Sequence, residues 1–215
     1  MTPTSSTALR GVVLATALGV GAQASAQGTS VNLTDATVAI ETRVQHAKAL
    51  GTDPSPTAID ELLTGLDSRS EPLREAIIAS LKAKKGDVVL LERALDKKRP
   101  VPARVAALAG LRVLKPADSA ARIAALLDDA DEGVREAAAH TLVVVGPALA
   151  EAKLVSALRA ETSAKVRYFV VVALGCLKTA TAKAAIAARA KIETDFAVKD
   201  ALDQAATKQA QPANP

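Results

Sequence analysis

Two histidines, His46 and His140, and a single cysteine, Cys176, carry the side chains best suited to ligating a metal or attacking an electrophile. Either chemistry needs convergence. A metal centre takes several such ligands, and a thiol nucleophile takes a base within hydrogen-bond reach. The histidines stand far apart in the chain, and neither lies close to Cys176 in sequence register. Signature spacings such as His-Glu-x-x-His, Gly-x-Ser-x-Gly and the glycine-rich phosphate loops do not occur. Acidic pairs, Asp60-Glu61 and Asp128-Asp129, have the right type for acid–base work, but at helix ends such pairs ordinarily cap and solvate. These residues predict no catalytic, cofactor-binding or metal site, and a protein that is not an enzyme. Cys176 sits in the apolar run Val170 to Leu177, which predicts a small buried hydrophobe. Being single, it can form a disulfide only with a second chain.

Whatever positions these residues is helical. The chain has 215 residues, 49% of them hydrophobic and only 1% aromatic, with 48 Ala. That is enough apolar material for a core, and the wrong kind for a β-sandwich or barrel. Ala with Leu, Glu, Lys and Arg favours helix. The net charge of +4 is small and scattered. The densest basic stretch, Lys82, Lys84, Lys85, Lys97, Lys98 and Arg99, reads as solvated turns, so no nucleic-acid partner is expected.

Residues 1–26 read as a secretory signal peptide. Arg10 is the one charge of the leading segment, Gly11 to Ala22 is apolar, and Ala24 and Ala26 are the small residues before a cleavage point. An apolar run this short falls below the roughly 20 residues that cross a bilayer as a helix. The expectation is an exported protein, most simply periplasmic and otherwise extracellular, with no stable membrane span after cleavage.

A period runs through the remainder. A basic residue recurs at Arg43, Arg74, Arg104, Arg135, Arg167 and Lys199, at intervals of 31, 30, 31, 32 and 32. Seven positions after each stand Leu50, Leu81, Leu111, Leu142, Leu174 and Ala206. Four positions before it come the helix-capping types Ser70, Asp131, Ser163 and Asp195, though not at Pro100. Breakers follow at Pro54 and Pro56, Gly86, Pro116 and Gly146-Pro147. A second helical stripe then runs through Leu62, Ile123, Leu154 and Ile186. Each unit therefore predicts a helical hairpin whose apolar stripe is buried only by stacking on the next. The fold class is all-α, a solenoid of stacked hairpins. Residues 27–33 read as a linker, 34–208 as five hairpins plus a terminal helix, and 209–215 as a disordered tail.

The stretch Asp128-Asp129-Ala130-Asp131-Glu132-Gly133-Val134-Arg135-Glu136-Ala137-Ala138 with Leu142 resembles the first half of a HEAT-like repeat, of the short kind named after phycobilisome lyases. The likeness continues at Lys165-Val166-Arg167 and at Pro102-Ala103-Arg104, fades at both ends, and covers about residues 37–206. It implies a right-handed superhelix with first helices on the convex side and second helices lining a concave groove. It also implies that the recurrent Asp and Arg form a structural ladder between repeats. On this chain the ladder would be Arg74, Arg104, Asp131, Arg135, Arg167, Asp195 and Lys199, rather than a line of anion contacts.

Some proteins of this architecture are enzymes. Deoxyhypusine hydroxylases carry His-Glu pairs, which this sequence lacks, and bilin lyases work on chromophores. The expected function is a non-enzymatic protein–protein interaction scaffold of the bacterial cell envelope, binding another exported protein. The alternative is an enzyme or enzyme subunit related to a bilin or chromophore lyase. Glu61, Glu92, Arg122, Lys153 and Lys183 are the candidate groove residues, and neither cofactor nor metal is expected. The groove should be polar and poor in aromatics.

Overall fold

The computed structural model describes residues 31–211; the segment read as a signal peptide lies outside them. The described residues form eleven α-helices and no strand. Five hairpins follow one another: α1 (Ile40–Thr52) with α2 (Ala58–Thr64), α3 (Glu71–Ala83) with α4 (Gly86–Leu95), α5 (Val101–Leu114) with α6 (Ala120–Ala124), α7 (Glu132–Val145) with α8 (Glu151–Ala160), and α9 (Ala164–Gly175) with α10 (Ala180–Ala190). The helix α11 (Phe196–Ala210) follows the fifth hairpin. Short 3₁₀ turns precede α6 and α8 and extend α6 to Asp128.

The recurring columns are the core. Leu50, Leu81, Leu111, Leu142 and Leu174 are buried at the same position of successive first helices, and Leu62, Ile123, Leu154 and Ile186 are buried on the second. Full burial of each Leu stabilises by roughly 1.5–3 kcal/mol relative to exposure. Ala206, the equivalent on α11, is exposed.

Helix ends are set locally. Asp131 Oδ1 accepts the Val134 N–H at 3.1 Å and Asp195 Oδ1 the Val198 N–H at 3.0 Å; Ser163 and Thr179 cap α9 and α10 in the same way. Ser70 occupies the capping position of α3 without making the side-chain bond, and Pro100 cannot make one. Positive φ ends two first helices, at Lys115 (53°) and Gly146 (135°). After α3 the left-handed residue is Lys85 (51°), not the neighbouring Gly86. Gly86 is required for space, since a Cβ there would stand 2.6 Å from the Leu81 carbonyl oxygen.

One junction departs from even stacking. Along most of the chain first helix packs on first helix, α1 on α3 and α5 through α7 and α9 to α11. Between the second and third hairpins, α5 packs instead on α4 and barely touches α3. Gly110 makes this possible: a Cβ on it would lie 2.5 Å from Leu90 Cδ1 and 2.8 Å from Leu63 Cδ2. The turn of the second hairpin is also short, with two residues between Ala83 and Gly86.

Two local expectations change. Residues 209 and 210, read as the start of a tail, belong to α11, and the buried Gln209 amide donates to the carbonyls of Leu174 and Leu177 at 3.0 and 2.7 Å. Cys176 is exposed rather than buried. It follows Gly175, where a Cβ would meet Ala205 Cβ at 2.8 Å. The close α9–α11 approach ends there, and the thiol turns outward to within 3.4 Å of Lys208 Nζ. No described helix is long and apolar enough to cross a membrane.

Candidate functional site on the second-helix row

The five candidate residues fall on the second helices and mostly pair there with neighbours. Arg122 on α6 donates to Glu92 on α4 at 2.8 Å. Lys153 on α8 donates to Asp128, at the end of the α6 extension. Glu61 on α2 meets the His46 ring across its own hairpin. Lys183 is exposed on α10. Glu151, not among the candidates, accepts the Thr179 hydroxyl of the next hairpin. The Glu92–Arg122 pair is half exposed or more, at 61% and 50%, so it contributes about 0–1 kcal/mol to stability. The effect of such pairs is on the surface: they alternate charge along the row and hold the side chains in place.

A cleft of about 770 Å³ opens along α4, lined by Pro54, Pro56, Val88, Glu92, Arg93 and Asp96 among others. Arg93 forms its buried wall, donating to Asp60 and, at 2.9 Å, to the Pro56 carbonyl. Sequence reasoning passed over Arg93, because a charged residue on an amphipathic helix reads as solvated until the Pro54–Pro56 turn folds over it.

The basic column is a ladder of a specific kind. Arg104 donates to Asp129 at 2.6 Å. Arg135 grips Glu161 through Nε and Nη2 at 2.8 and 3.1 Å, and Arg167 grips Glu193 in the same fashion at 2.8 and 2.9 Å. Each acid lies two residues before a first-helix cap and also accepts that cap residue's N–H. Asp131 and Asp195, which the resemblance placed in the ladder, serve as caps instead, and the acids that meet Arg are Asp129, Glu161 and Glu193. Arg74 donates to the Ser68 carbonyl at 2.7 Å, and Lys199 is exposed at the end of the column. The acids' position, six residues before the next basic residue, was available in the sequence. Three of six units lack an acid there, which hid the column.

These pairs shift titration. The Arg104 hydrogen bond holds Asp129 below its ordinary value, and the bond to Glu161 raises Arg135. Burial pushes Glu161 and Glu193 upward, but their Arg partners and the turn N–H groups outweigh it, so both carboxyls lie low, Glu193 far below the usual range. Arg189 adds a further bond to Glu193 at 2.8 Å. These groups are engaged in bonds that tie one repeat to the next.

The aromatics gather on the other row. Tyr168 and Phe169 on α9 and Phe196 on α11 are the chain's one Tyr and two Phe. His140 on α7 stacks on Phe169 at 4.2 Å, and Arg112 on α5 approaches its Nδ1 at 3.1 Å. Burial and then the Arg112 charge hold His140 below the usual histidine value. A shallow cleft of about 340 Å³ beside them is lined by Glu136, Lys165, Tyr168, Phe169 and Asp195. Among the described residues, no group of three or more His, Cys, Asp or Glu is placed to hold a metal ion.

The architecture is that of the helical-repeat solenoids. No family model and no curated relative matches the chain. Among solved structures, the chain is similar to human deoxyhypusine hydroxylase in complex with glycerol, at 20% identity and a TM-score of 0.50, over 83% of this chain and 71% of that one. A likeness at this identity speaks to fold. It nonetheless corrects the expectation of a protein that is not an enzyme, since an enzyme is built on this fold. That expectation came from missing local motifs, and a solenoid can assemble a site from residues one or more repeats apart.

Proposed function

We propose that the protein is a helical-repeat binding module of the bacterial cell envelope that docks another exported protein along its second-helix row. The observation that carries this reading is the set of cross-helix pairs on that row. Glu92–Arg122 and Lys153–Asp128 place charges of both signs along the row, and Glu92 lines a cleft large enough to take side chains of a partner. Fixed charges of both signs favour a partner of complementary pattern and disfavour a uniformly charged polymer. The test is capture from an envelope extract with the immobilised protein, repeated with the charges of Glu92 and Arg122 exchanged. A protein held by the natural chain and lost on exchange supports the reading. Recovery of only a small pigment or a metal overturns it.

The second reading is an enzyme or enzyme subunit, such as a chromophore lyase relative, and the fold comparison weighs toward it. The observation in its favour is the His46–Glu61 contact, in which a carboxylate orients an imidazole able to accept a proton. Both side chains are accessible, 26% and 38% exposed. Turnover of a small-molecule fraction, followed by mass spectrometry and abolished by His46→Ala with the fold intact, would establish it. Turnover unchanged by that substitution removes His46 from the chemistry.

A further inference from the structure

The ladder has an open rung at its start. Three carboxylates, Asp129, Glu161 and Glu193, lie six residues before the next basic residue and meet the guanidinium of the preceding repeat. The equivalent residue between Arg43 and Arg74 is Ser68. Ser68 performs half of the acid's task. Its hydroxyl accepts the Ser70 N–H at 3.2 Å, as Glu161 accepts that of Ser163, and its carbonyl accepts Arg74. The other half is missing, because a serine side chain is too short to reach the preceding Arg. Among the described residues Arg43 makes one long bond, to the Leu33 carbonyl at 3.4 Å, and its Nε is buried without an acceptor. The nearby acid Asp35 turns its carboxylate to the N–H and hydroxyl of Thr37. Arg69 adds a positive charge in the turn itself, and the exposed Asp67 precedes it.

We infer that the Arg43 rung is a binding site for a carboxylate, taken up where the chain's own Glu stands in later repeats. Arg135 and Arg167 show the geometry: two parallel N–H donors of one guanidinium on the two oxygens of one carboxylate. The Ser-for-Glu difference removes from this turn a group about the size of acetate. The carboxylate can arrive free or on the acidic side chain of a partner peptide; the recognition chemistry is the same.

The test uses the full chain and sodium acetate, with chloride exchanged to keep ionic strength and pH constant. Thermal melts followed at 222 nm should show Tm rising saturably with acetate, by about 2–4 °C. Ser68→Glu should raise Tm in chloride alone and abolish the acetate response, and Arg43→Gln should abolish it too. A direct readout on the unaltered protein is the Arg43 Nε–H resonance in a ¹H–¹⁵N spectrum, which should move with acetate and not with chloride. A blocked tetraglutamate peptide distinguishes the sources. If it saturates that resonance at a lower carboxylate concentration than acetate, a partner's acidic segment is the ligand; otherwise a free small carboxylate is. A flat acetate titration by both melt and resonance, or an equal response in Ser68→Glu, overturns the site.

Discussion

Glu193 sets both carboxylate oxygens against the guanidinium of Arg167 on the previous hairpin, at 2.8 and 2.9 Å, with none of its side chain exposed. Arg189 approaches the same carboxylate from α10. This rung ties α9, α10 and the turn before α11 into one unit. Replacing Glu193 with Gln keeps the shape and removes the charge, leaving two guanidinium groups without their counter-ion. The expected loss is about 3–5 kcal/mol, read as a lower midpoint in urea unfolding followed by circular dichroism.

The same rung shapes the acid limb of stability. The folded carboxyl of Glu193 titrates far below its ordinary value, so the unfolded chain binds the proton first as pH falls. The contribution is complete above the ordinary Glu value of 4.5 and declines as pH drops toward the folded value. Glu193→Gln should show a shallower loss of stability over that interval than the natural chain. Parallel curves for the two proteins would contradict the assignment.

His140 acts at milder pH. Its folded value lies below the ordinary 6.5 because burial and Arg112 disfavour the imidazolium. Protonation then favours the unfolded chain, so its contribution is full above pH 6.5 and is lost as pH falls through the folded value. His140→Gln should flatten the stability profile below pH 6.5. Melts at half-unit pH steps would detect it.

Gly110 is where overpacking should be most costly. A methyl group there would meet Leu90 and Leu63 at 2.5 and 2.8 Å. Gly110→Val should destabilise by about 1–3 kcal/mol and loosen the α4–α5 junction, visible as faster amide exchange in α5. Gly133, whose added Cβ meets only the Asp131 carboxylate at 3.2 Å, provides the comparison site.

Exchange of Glu92 and Arg122 should move stability by less than about 1 kcal/mol, since the pair is solvent-exposed. A larger change in melting would mean that the pair supports the stack rather than the surface.

The helical hairpins and the core columns were legible in the sequence, because helix periodicity, capping and breakers act over a few residues. Leu142 is buried and Asp131 caps α7 for reasons contained within their own helix and turn. The five candidate groove residues could likewise be assigned to second helices from register alone.

Which residues meet across hairpins was decided only by the tertiary structure. Glu161 reaches Arg135, and Arg122 reaches Glu92, because successive hairpins stack at a particular offset and angle. The same offset, shifted where α5 leaves α3 for α4, depends on the missing side chain of Gly110. Sequence register states which face a residue occupies. It does not state the angle between rigid hairpins, and that angle determines every long-range pair in the molecule, the exposure of Cys176 and the gathering of the aromatics on one row.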